Sequence, residues 1–184
     1  MKTEKEKMLA GELYNASDPT LATERCRARA LCQALGNLSP WAPGAERSDL
    51  LSRLFGAPTN ATVTPPFFCD YGTNTELGDK VYFNFNCVIL DVARVTIGDN
   101  VMFGPAVQIY TATHPMDAEE RRSGLEFAKP VRIGNDVWLG GGVIVCPGVT
   151  IGDAAVIGAG SVVVRDIPAG VFAAGNPCRV IRQN

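Results

Sequence analysis

Residues 131–163 read VRIGNDVWLGGGVIVCPGVTIGDAAVIGAGSVV. Ile133, Leu139, Val145, Ile151, Ile157 and Val163 stand six apart, and glycine directly follows four of them. Apolar positions of an amphipathic helix recur near every 3.6 residues and those of a half-buried strand alternate, so a period of six fits neither. It fits a parallel β-helix of hexapeptide repeats, in which each hexad gives one short strand and one turn. The anchor points into a narrow interior that stacked coils fill together. A second inward position lies four residues after each anchor and is small or β-branched: Val137, Val143, Val149, Ala155 and Ser161.

Toward the N terminus the same phase returns at Tyr71, Leu77, Phe83 and Ile89, then at Ile97, Phe103 and Ile109. Two interruptions break it. The step from Ile89 to Ile97 is eight residues and predicts a small bulge; the step from Ile109 to Ile133 is twenty-four and predicts a protruding loop over roughly Met116 to Pro130. His114, the only histidine, stands at the root of that loop. Gly72, Gly78, Gly98 and Gly104 also follow anchors, and a glycine there is expected to relieve a tight turn. At three hexads per coil, Tyr71 to about Asp166 predicts roughly four coils.

Residues 1–58 have a different texture, and we divide the chain into this helical segment and a β-helix domain over 59–184. Asp18-Pro19 is a cap followed by a favoured first helical residue, after which Leu21, Ala28, Leu31, Cys32 and Leu35 trace one face until Gly36. A second helix is expected to use Leu50, Leu51, Leu54 and Phe55 and to end at Gly56; an opening helix is expected over Glu4 to Tyr14. Such a segment would cover the open end of the first coil.

A net charge of −2 and a pI near 5.4 leave no basic footprint for a nucleic-acid partner. No segment has the length and apolarity of a membrane span or a signal peptide, so the expected location is the cytoplasm, away from the membrane. The six cysteines form no CxxC pair and are expected to be free thiols. A catalytic zinc site takes about three protein ligands, so one histidine argues for no metal.

EKEKMLAGELY, CDYG, YFNFNCVILD, TIGDNVMFGP, IYTATHP, IGNDVWLGGGVIVCPGVTIGD and AAGNPCRVIR together resemble the maltose and galactoside O-acetyltransferases. The likeness runs essentially the whole length, and the N-terminal segment joined to TATHP and GNPCRVIR narrows it toward the maltose type. The resemblance implies a left-handed β-helix and a homotrimer with acetyl-CoA bound between subunits. It also implies transfer of acetyl to the 6-OH of glucose, maltose or a related sugar; a galactoside, serine or antibiotic acceptor is the alternative.

Acetyl transfer needs a base for a weakly nucleophilic hydroxyl, and a free imidazole, titrating near 6.5, suits it. The resemblance assigns that role to His114 and the oxyanion-stabilising amide to Gly141. It places Asn84 and Asp91 in the sugar pocket, Tyr82 and Trp138 against sugar or pantetheine, and Arg25 and Ala16 on the acceptor side. Ala159 and Val164 match the pantetheine track. Arg179 and Arg182 match phosphate-binding arginines, and the planar guanidinium fork suits that task.

Overall fold

The hexads wind into a three-sided coil. The computed structural model describes residues 1–184, and its parallel strands fall on three faces. The first face stacks Thr62–Val63, Tyr82–Phe83, Met102–Phe103, Trp138–Leu139, Val156–Ile157 and Val171–Ala174. The second stacks Phe67–Cys69, Cys87–Leu90, Gln108–Tyr110, Ile144–Val145 and Val162–Val163. The third stacks Thr75–Leu77, Val95–Ile97, Val131–Ile133 and Thr150–Ile151. Anchors lie beside anchors: Phe83 pairs with Phe103, Ile109 with Val145, and Ile133 with Ile151.

The coil is longer than the anchors predict. It begins at Thr62, ahead of Tyr71, and six parallel strands stack on its first face. The first turn fills its interior with Ala61, Val63, Phe67, Cys69 and Thr75, none of which carries the glycine phase of the later hexads. At the far end Val171 and Ala173 continue the column, and Arg179–Gln183 folds back antiparallel on Val171–Ala174. Phe55, Phe67, Phe83 and Phe103 form a file of rings along the axis, with centroids 6.1, 5.4 and 4.4 Å apart. Full burial of such a side chain contributes about 1.5–3 kcal/mol.

Gly72 takes the left-handed conformation expected of a turn glycine (φ 74°), but the glycines of the regular hexads serve a different end. At Gly104 an added Cβ would sit 2.6 Å from the Gly141 nitrogen, and at Gly140 it would sit 2.7 Å from the Ala159 nitrogen. Neither has positive φ. Their cause is the close approach of successive turns. The left-handed position comes two residues later and accepts Lys80, Asn86, Asn100, Ala106, Asp136 and Ala154 as readily as Gly142, Gly148 and Gly160.

Two helices, α2 (Pro19–Asn37) and α3 (Gly44–Phe55), cover the start of the coil, and a third, α1 (Glu4–Leu9), packs beside the loop with Met8 in a separate small core. Asp18 caps α2 by accepting from the Thr20 and Leu21 amides, and α2 runs one residue beyond Gly36. α3 ends at Gly56 in the left-handed conformation. Leu35, Leu51, Leu54 and Phe55 join the coil's own hydrophobic core. α1 stops at Leu9, short of the expected Tyr14, because the chain turns at Gly11 (φ 72°) and Tyr14–Asn15 is recruited as a strand. No helix is long and apolar enough to cross a membrane.

Candidate active site

Extra residues accumulate at one edge, where the second face passes to the third. There the first two turns widen around Asp70–Asn74 and Leu90–Arg94, and the next carries the loop. Side chains stitch these irregular segments together. Asp91 accepts from the Tyr71 amide at 2.9 Å and from the Thr75 hydroxyl at 3.2 Å. Thr111 accepts from the Ala93 amide and donates to the Leu90 carbonyl, at 2.8 and 2.7 Å.

Asp91 therefore corrects one expectation. Its side chain is 0 % exposed and both oxygens are engaged, so it holds the edge together and reaches no acceptor pocket. Burial pushes its carboxyl up to about 6, against the hydrogen bonds that lower it. Tyr71 is corrected too. Instead of filling the coil interior, it belongs to a separate small core with Met8, Tyr14, Leu21, Val92, Ala93 and Ala128.

The loop leaves this edge as an antiparallel pair, Ala112–Thr113 against Leu125–Ala128, tipped by the short helix α4 (Ala118–Arg122). Asp117 caps α4, and Arg121 donates to the Pro115 and Met116 carbonyls at 3.0 Å. The other side of Leu125–Ala128 pairs with Tyr14–Asn15, so the N-terminal segment supplies the third strand of this sheet. His114 follows directly and is exposed. Its Nε2 lies 3.7 Å from Glu126 Oε2, whose side chain is only 18 % exposed. That separation exceeds a hydrogen bond but leaves a close charge pair for an imidazolium. The buried Tyr14 hydroxyl donates to the other oxygen of Glu126.

Arg25, on α2, projects to the same edge. It donates to the Tyr71 hydroxyl and to the Ala16 carbonyl, each at 2.7 Å. Its ion lies near Asp70, whose carboxyl is pushed up by burial while Arg25 and Arg29 pull it down. Three expected residues, His114, Arg25 and Ala16, thus meet at one edge. Tyr14, Glu126 and Asp70 join them and were not foreseen. Tyr14 closes the helix expected over Glu4 to Tyr14, and nothing in the loop's spacing singles out Glu126.

Gly141 and Ala159 lie on adjacent turns of a second edge, between the first and second faces, and Asn84 lies on the same edge two turns earlier. The Gly160 amide donates to the Gly141 carbonyl at 2.9 Å, and Gly140 packs on Ala159. The Gly141 amide has no hydrogen-bond partner within the chain, which leaves it available as an oxyanion donor. Asn84 turns its oxygen to the Phe85 amide at 2.8 Å. Val164 is exposed just after the second-face strand Val162–Val163.

Tyr82, Met102, Trp138, Val156 and Phe172 align across the outside of the first face, with Arg182 beside Phe172 in the closing hairpin. The Arg182 guanidinium stands 5.2 Å over the Phe172 ring, and Arg179 donates to the Cys178 carbonyl. The two edges lie at opposite ends of the second-face strands. Between Val107 and Tyr110 that is roughly 10 Å of extended chain. No group of three or more His, Cys, Asp or Glu side chains is placed to hold a metal ion. All six cysteines are free thiols.

Residues 7–59 match the maltose acetyltransferase hexapeptide capping motif, and residues 130–165 match the bacterial transferase hexapeptide of six repeats. The chain is similar to a maltose O-acetyltransferase from Clostridium difficile 630, at 50 % identity and a TM-score of 0.96 over 99 % of this chain and 97 % of that one. It is similar to a hexapeptide-repeat acetyltransferase of Vibrio cholerae O1 biovar eltor complexed with acetyl coenzyme A. That likeness is 38 % identity, TM-score 0.90, over 99 % of this chain and 98 % of the other. It is similar also to a galactoside acetyltransferase in complex with coenzyme A, at 40 % identity and TM-score 0.91, over 100 % and 92 % of the two chains.

Proposed function

The chain belongs to the hexapeptide-repeat acetyltransferases that carry the maltose-acetyltransferase capping motif, and from that premise we propose that it acetylates the 6-OH of glucose, maltose or a related sugar. Acetyl-CoA is the donor, in keeping with the coenzyme bound by two of its structural neighbours. The observation that carries the reading is the pairing of the chain's only imidazole with a partly buried carboxylate on a loop built into a three-stranded sheet.

His114 removes the acceptor proton as the sugar oxygen attacks the thioester carbon. The imidazolium so formed places its charge near Glu126 Oε2, 3.7 Å from Nε2. The unpartnered Gly141 amide stabilises the oxyanion, which then collapses as the thiolate of CoA leaves and takes the proton from His114. Arg25 and Asp70, beside the histidine, are suited to bind sugar hydroxyls. Asn84 lies on the Gly141 edge and adds an amide to them. Ala159 and Val164 line the path of pantetheine, with Arg179 and Arg182 at its phosphate end and Trp138 and Tyr82 along the first face.

These two groups of residues sit on different edges of one chain, so the complete site needs a neighbour. In a cyclic trimer the loop edge of one copy meets the glycine edge of the next. The outward residues agree with that arrangement. Phe68, Val88, Ile144 and Val162 on the second face and Met102, Trp138 and Phe172 on the first are apolar, whereas the third presents Glu76, Thr96, Arg132 and Thr150.

His114→Ala should lower thiol release from acetyl-CoA with maltose or glucose by about 10²–10⁴-fold. A loss of less than about tenfold would remove the base assignment. Light scattering should give a trimeric mass, and a monomer that turns over would exclude the shared site. An acceptor panel of glucose, maltose, a galactoside, serine and chloramphenicol ranks the acceptors.

A further inference from the structure

Tyr14 is 0 % exposed, lies far from His114 in sequence, and is tied to it through a single carboxylate. In the three-stranded sheet beside the loop, Tyr14 stands directly opposite Glu126, and the pairing of Thr113 with Phe127 places His114 just beyond the third strand. Residues directly opposite in an antiparallel pair project to the same side of the sheet. The Tyr14 hydroxyl therefore meets Glu126 Oε1, while Oε2 faces His114 Nε2 at 3.7 Å.

Phenylalanine would fill the same pocket. What tyrosine adds is one donor, and that donor has one acceptor, the carboxylate that flanks the histidine. Burial, followed by Glu126, pushes the phenol far above its ordinary range, so it remains a proton donor at every working pH. The strand carrying Tyr14 is itself pinned, since Arg25 holds the Ala16 carbonyl and the hydroxyl of Tyr71, a member of the same small core. A carboxylate free to rotate would spend part of its time turned from the imidazole, whereas a buried hydrogen bond to one oxygen fixes where the other points.

We propose that Tyr14 is a positioning residue for acetyl transfer: its hydroxyl holds Glu126 in the orientation that presents the second oxygen to His114. The inference rests on His114 being the base. It gives the N-terminal segment a part in catalysis in addition to covering the coil.

The test is a double-mutant comparison of Tyr14→Phe, Glu126→Gln and the pair, measured as thiol release from acetyl-CoA with maltose, with melting temperatures alongside. Tyr14→Phe should lower kcat about tenfold, the scale of one charge-assisted hydrogen bond, and leave KM for acetyl-CoA within about twofold. In the Glu126→Gln background the same change should alter kcat by less than about twofold. Wild-type kcat in Tyr14→Phe, or an equal loss in both backgrounds, overturns the proposal. If Tyr14→Phe also melts earlier, the comparison still decides, because glutamine keeps an acceptor for the Tyr14 hydroxyl but no charge for His114, so a purely structural loss persists in that background. Should His114→Ala remain active, the base assignment itself fails; should His114→Ala be dead and Tyr14→Phe unchanged, only the positioning role falls.

Discussion

The two edges of the prism that bound its second face use the same hexads by opposite means. Along the glycine edge each turn repeats the last, and Gly104, Gly140 and Gly158 let successive turns approach until a single methyl group would collide. Along the loop edge each turn departs from the last, and side chains such as Asp91, Thr111 and Glu126 bridge what the repeat no longer aligns. The first edge is held by close backbone packing and the second by hydrogen bonds. Rigidity along the coil comes from regularity; a cluster of acid, base and cation comes from interrupting it.

Four experiments probe that contrast. Gly140→Ala should be the most damaging to stability, by about 3 kcal/mol or more, because its Cβ would meet backbone that cannot step aside. Denaturant unfolding checks it, and a near-native midpoint would mean the turns are not in hard contact.

The loop edge should respond to pH instead. The Asp91 carboxyl is raised to about 6 by burial, whereas in the unfolded chain it titrates near 3.9. Between these values the folded protein holds a proton that the unfolded chain has released. Stability therefore falls as pH rises through that window, by on the order of 3 kcal/mol. Asp91→Asn keeps an oxygen for the Tyr71 amide and should flatten the slope in urea titrations between pH 4 and 7. An unchanged slope would locate the effect elsewhere.

Glu126→Gln comes next, with an expected loss in kcat of about tenfold and little change in melting temperature. Comparable destabilisation would make Glu126 a strut of the loop and not the partner of the base. Gly141→Ala should be mildest for the fold, costing under about 1 kcal/mol, since its Cβ would only press on Pro105 at 3.3 Å. It keeps the amide, so kcat should hold while KM for acetyl-CoA rises a few-fold. A fall in kcat alone would argue that the methyl group disturbs the oxyanion.

The same contrast explains what could be read from the chain before its structure. A six-residue phase fixes which side chains face inward, so the parallel coil and the loop at His114 are legible. Asp18-Pro19 and Gly56 marked helix ends for equally local reasons. The partner of His114 was not legible, because Glu126 lies in a segment without period and its neighbour Tyr14 belongs to another part of the chain. The resemblance makes Asp91 a ligand residue, and it lies within the eight-residue step that interrupts the repeat. It does mark the edge where the histidine sits, yet its carboxylate is consumed in joining one turn to the next. A departure from a repeat shows where the scaffold has been altered, and the hydrogen bonds then decide which residue is strut and which is reagent.

The contact between Tyr14 and Glu126 closes over 112 positions of intervening chain. During synthesis at about 5–20 residues per second, the N-terminal strand waits roughly 6–22 s before its partner exists. The helices and the first coils can form in that interval, each from neighbours already made. The carboxylate beside His114 gains its anchor only when the earliest part of the nascent chain meets a loop made much later. Assembly of the scaffold can thus run ahead of assembly of the proposed reactive centre.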